Sequence, residues 1–126
     1  MRFAILIYHN PLSREIWERL TPEQRAEGLR GYAELDDDLA ASGEMVVAQA
    51  LADPSHGARV SVSSGQVVTS DGPFAEMKEH LAGFYLVDCE DIERAVALAA
   101  RIPEAAHGLV EVRPTLRLSD FGDLET

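Results

Sequence analysis

Two segments of this chain, Phe3-Ala4-Ile5-Leu6-Ile7-Tyr8 and Leu81 to Val87, are apolar on both of the alternating faces that a strand presents. In the first, Phe3, Ile5 and Ile7 share one face while Ala4, Leu6 and Tyr8 share the other. A strand of that kind is covered on both sides. The rest of the chain offers two long helical patterns, enough for one face of a sheet. The second face must be covered by something else, and another copy of the same chain is the simplest cover.

The helical patterns carry their own punctuation. Thr21-Pro22-Glu23-Gln24 predicts a helix start, with Thr21 as N-cap, Pro22 in the first helical position and Gln24 completing a capping box. Ala26, Leu29, Ala33, Asp36 and Leu39 then fall at helical spacing, and Gly43 is the expected stop. Asp36, Asp37 and Asp38 read as a solvated outer face, although Asp36 lies near the apolar stripe. A second helix follows Asp88 or Asp91, with Ile92, Ala95, Val96, Ala99 and Ile102 as its stripe and Pro103 as its end. Strands are expected at Met45 to Leu51 and Leu109 to Val112, with a hairpin turning at Ser64-Gly65 between Val60 and Val68. A short piece around Glu15 to Leu20 follows a polar break from His9 to Ser13. The order strand, helix, strand, hairpin, strand, helix, strand predicts an α+β domain over 1–126, a ferredoxin-like split βαβ with an inserted hairpin.

Composition narrows the partners. A formal charge of −11 argues against nucleic acid and anionic membrane surfaces, both of which need a positive face. No stretch approaches the ~20 apolar residues that span a bilayer. The start of the chain reads as a first strand rather than a signal peptide, so a cytoplasmic location is expected. The single cysteine, Cys89, reads as a small apolar filler near a strand end. Ten of the eleven basic residues are Arg, a bias associated with GC-rich bacterial genomes.

His9, His56, His80 and His107 show no HxH or HxxxH spacing, so neither metal nor cofactor is expected. The densest polar cluster runs from Asp71-Gly72-Pro73-Phe74 to Lys78-Glu79-His80. Asp-Gly-Pro forces a defined turn, which either uses Asp71 as a backbone cap or aims its carboxylate into a cleft. On the second alternative Asp71 is a general base or orients one, and His80 or His9 shuttles the proton. Lys78 and Arg113 would hold an anionic group, with Phe74 as a further ligand contact.

The run DGPFAEMKEHLAGFYLVDCEDIERAVALAARIP, followed by GLVEVRP, resembles the YCII-related family in its DGPF (DGPFAETKE) branch. Met77 stands where Thr is usual, and the strand Phe3 to Tyr8 also fits, so the resemblance spans nearly the whole chain. It implies a dimeric α+β barrel of ferredoxin-like subunits and a small enzyme-like or ligand-binding protein of unassigned reaction. It also implies a link, in some members, to extracytoplasmic-function sigma factors. A His–Asp pair is the proposed active site across the wider family; Asp71 matches the motif carboxylate, but Tyr32 stands where some relatives carry His. Three functions follow as alternatives: proton transfer on a small organic molecule, a non-catalytic ligand-binding or regulatory module, and a plain structural dimer.

Overall fold

The computed structural model describes residues 1–71 and 78–124. In chain order its elements are β1 (Arg2–His9), α1 (Pro11–Arg19), α2 (Pro22–Ser42), β2 (Met45–Ala50), β3 (Ala58–Ser63), β4 (Gln66–Asp71), β5 (His80–Asp88), α3 (Ile92–Ala99) and β6 (Val110–Pro114), with a 3-10 turn at Pro103–His107. The main sheet is antiparallel throughout, ordered β2-β5-β1-β6, the connectivity of a ferredoxin-like split βαβ.

Local chemistry sets the helix ends. Thr21 and Gln24 exchange side-chain-to-backbone hydrogen bonds at the start of α2, and Gly43 closes it at φ 77°, where a Cβ would be strained. The polar break before α1 is itself a capping box: Asn10 accepts from the Ser13 amide at 2.8 Å, and Ser13 Oγ accepts from the Asn10 amide at 2.9 Å. The helix therefore starts at Pro11, earlier than the piece expected around Glu15.

α2 and α3 cover one face of the sheet. Leu35 and Leu39 of α2 and Ala95, Leu98 and Ala99 of α3 pack over Phe3, Ile5, Ile7, Tyr85 and Val87. The stripe of α2 is thus centred on Leu35 and Leu39, while Leu29, expected inside, is exposed. Likewise α3 turns Ala95, Leu98 and Ala99 to the core and leaves Ile92 and Val96 exposed beside them, while Ile102 reaches the core from beyond the helix end at Ala99.

Cross-strand register assigns Ala4, Leu6, Phe84 and Leu86 to the opposite face, together with Glu111 and Arg113 of β6. These four apolar residues are half-buried. β3 and β4 form a separate two-stranded sheet that turns at Ser64 (φ 51°) and Gly65 (φ 76°). Every residue of this ribbon is exposed, including Val62 at 68% and Val67 at 71%.

One glycine is fixed by close approach. A Cβ on Gly83 would lie 2.9 Å from the Gln49 carbonyl oxygen, and neither partner is a flexible side-chain end. Gly83→Ala must push β2 away from β5 and is expected to cost about 1–3 kcal/mol, read from a urea melt. An unchanged midpoint would show that the β2 edge yields freely.

Candidate functional site

The first half of α2 stands off the sheet, and α1, which buries none of its residues, closes the corner. Between this corner and the strands lies a cleft of about 790 Å³. Arg25 fixes the corner: its Nε and Nη2 donate to the carbonyls of Trp17 and Glu18 at 3.0 Å, and its guanidinium sits 5.5 Å from the centre of the Trp17 ring. The bond to Glu18 satisfies a carbonyl at the end of α1, and the Trp17 carbonyl takes Arg25 in addition to the Leu20 amide.

His9 and His80 face the cleft from adjacent strands, directly paired across β1 and β5. Their ring centres are 6.1 Å apart at an interplanar angle of 82°. The pairing depends on a one-residue bulge. The ladder runs Phe3 opposite Val87 to Ile7 opposite Gly83, then shifts so that Tyr8 meets Leu81 and His9 meets His80. An unbroken register would place Leu81 opposite His9; Ala82 is the extra residue, a re-aiming that bulges commonly perform beside functional sites.

Glu104, from the 3-10 turn, is the carboxylate that meets this pair. Its Oε2 lies 3.8 Å from His9 Nε2, and both its oxygens accept from the Tyr32 hydroxyl at 2.5 Å. The Glu104 side chain is 14% exposed, whereas that of His9 is 42% exposed. Burial alone would raise the Glu104 carboxyl, but the His9 imidazole and the Tyr32 hydroxyl outweigh it and hold the group below the usual carboxylate range. Burial and the bond to Glu104 push the Tyr32 hydroxyl far up, so it remains a donor. One helical turn along α2, Asp36 accepts from the Tyr85 hydroxyl at 2.5 Å, and Tyr85 is raised by burial and by Asp36. Burial, the Arg14 charge and His9 together push the His80 imidazole down, so His80 is neutral at neutral pH.

Of the residues singled out in the sequence, the fold brings His9 and His80 together in the cleft. Asp71 ends β4 opposite Ala58, exposed and outside the cleft lining. Lys78 is exposed, and Arg113 sits on the open side of the sheet opposite Ala4. Phe74 lies outside the described residues. Tyr32, Asp36, Tyr85 and Glu104 had no assigned part in a site. The available signal was Tyr32 and Asp36, polar groups four residues apart flanking Leu35 on the buried side of a helix. Among the described residues no group of three or more His, Cys, Asp or Glu side chains is placed to hold a metal ion, and no helix is long and apolar enough to cross a membrane.

Comparison with known sequences places the chain at the level of a family. The YCII-related domain model matches residues 1–119. The chain is also similar to an uncharacterized protein of Rhizobium meliloti (strain 1021), 31% identical over 126 residues and covering 98% of each chain. The match over residues 1–119, together with a relative aligned over 98% of each chain, makes this chain a member of the YCII-related domain family.

Proposed function

We propose that the protein transfers a proton on a small organic molecule held in the cleft, with His9 as the base. The observation that carries this reading is the Tyr32–Glu104–His9 array set beside His80. Glu104 holds Nε2 of His9 toward itself, which leaves Nδ1 to take a proton from a carbon next to a carbonyl. The ionised carboxylate steadies the imidazolium that forms, and Tyr32 fixes the carboxylate. Neutral His80 donates a hydrogen bond to the carbonyl oxygen as charge grows there. Asp71 takes no step in this scheme. In deuterated buffer, wild type should exchange the acidic CH₂ protons of 2-hydroxyacetophenone, and His9→Gln should return the rate to that of buffer alone. Equal exchange by the two proteins would overturn the assignment of His9.

We further propose that two copies pack through the open face of the sheet, each covering Ala4, Leu6, Phe84 and Leu86 of the other and closing an α/β barrel. The support is that apolar row, which no described helix covers, set between Gln49 of β2 and Glu111 and Arg113 of β6. Light scattering at micromolar concentration should report twice the 13.8 kDa chain mass; the monomer mass would refute the pairing. A lone thiol and an acidic surface suit a reducing cytoplasm, which is where we place the protein.

A further inference from the structure

The charges that line the cleft say what kind of molecule it accepts, given that the cleft is the working site. Among the described residues the lining carries four carboxylates, Glu18, Asp36, Asp53 and Glu104, and one guanidinium, Arg14. Arg14 is already engaged in an ion pair with Asp53. Apart from the imidazoles of His9, His80 and His107, of which His9 already faces Glu104, nothing cationic is left over for a carboxylate or phosphate, and four carboxylates against one paired guanidinium make the field inside the cleft repel one.

Hydrogen-bonding capacity points the same way. The two phenolic hydroxyls deep in the cleft are committed, Tyr32 to Glu104 and Tyr85 to Asp36 Oδ1. Among the described residues Asp36 Oδ2 takes no hydrogen bond and is left as an acceptor. Such a group asks for a donor on the ligand. The walls above it are apolar: Trp17, Leu20 and Leu29 on the helical side, Ala50 and Leu51 on the strand side. Trp17, Leu29 and Leu51 remain exposed at the mouth, where a ligand body would cover them.

We infer that the cleft selects a molecule with a flat apolar body and a neutral or positively charged hydrogen-bond donor at one end, and that it discriminates against anions. Asp36 is the specificity-determining residue. A donor seated on Asp36 places the ligand body against Trp17 and the adjoining carbon near His9 and His80.

The chain has one tryptophan, so its indole N–H gives a single reporter for nuclear magnetic resonance titration of the intact protein. Three probes of similar shape separate the cases: 2-phenylethylamine, 2-phenylethanol and 3-phenylpropanoate. The amine and the alcohol should shift the Trp17 indole signal and the Gly83 and Tyr85 amides at millimolar concentration. The propanoate should bind at least about tenfold more weakly than the amine. Asp36→Asn keeps an acceptor for Tyr85, so the fold is retained. It should weaken the amine about tenfold or more and leave the alcohol much less affected. Propanoate binding as tight as the amine, no shift with any probe, or an unchanged amine affinity in Asp36→Asn would each overturn the inference. The proton-transfer reading fails on a different measurement, the deuterium exchange lost or kept in His9→Gln, so either idea can fall while the other stands.

Discussion

Truncating Phe3 to alanine is expected to cost about 3–5 kcal/mol, a large share of the ~5–15 kcal/mol that holds a domain together. Phe3 is 1% exposed, with Val87 and Pro114 as its cross-strand neighbours under the helical layer. The measurement is a urea melt, and a loss under about 1 kcal/mol would mean that the core does not centre on this face. Leu6→Ala is the informative companion, because Leu6 points to the opposite face. In the isolated chain it should cost less than Phe3→Ala. If the open faces pair, its effect grows with protein concentration, since the lost contact is then intermolecular.

Glu104 supplies the second large effect. Glu104→Ala removes the acceptor of the Tyr32 hydroxyl and leaves a partly buried donor without a partner, a loss of about 1–3 kcal/mol. Glu104→Gln keeps an acceptor and should cost less at neutral pH, while abolishing the charge beside His9. The two variants separate on the acid side. Because the folded protein holds the Glu104 carboxyl below its ordinary value, the unfolded chain takes up that proton first as pH falls. The stability this group contributes is whole above the unfolded value of about 4.3 and drains away as pH drops through the lower folded value. The gap between wild type and Glu104→Gln should therefore narrow below about pH 4. A gap that stays constant from pH 7 to pH 3 would show that the Glu104 charge does nothing for the fold.

What the sequence disclosed were features decided within a few residues. Thr21 with Gln24, Pro22 and Gly43 bound α2 because caps and stops are local backbone chemistry. Ser64-Gly65 made its turn because both residues take positive φ. The doubly apolar pattern belongs to β1 and β5, which are the two central strands of the sheet. The site was only half visible. His9 and His80 stood out as titratable groups, but their carboxylate partner comes from a turn 72 residues beyond Tyr32, and no spacing rule links the two. Pro103 read as a helix stop and drew attention away from Glu104 behind it. Asp71 drew attention because its neighbours force a turn, which is a statement about backbone and not about where a carboxylate points. Asp36 was grouped with Asp37 and Asp38, yet a helix turns 100° per residue, and only the first of the three comes round to the cleft.

The extra residue in β5 has a consequence for how the protein can change. Register is ordinarily a property of a whole strand pair, so a shift at one end is felt at the other. Here Ala82 takes up one residue of slack, and the core half of the ladder and its cleft half keep separate phases. Packing around Phe3, Ile5 and Ile7 can be revised by mutation without dragging the histidines apart. The mouth of the cleft, in turn, can drift from one homologue to the next while the core half stays fixed. A strand with two phases lets the same scaffold explore new chemistry at one end and remain folded at the other.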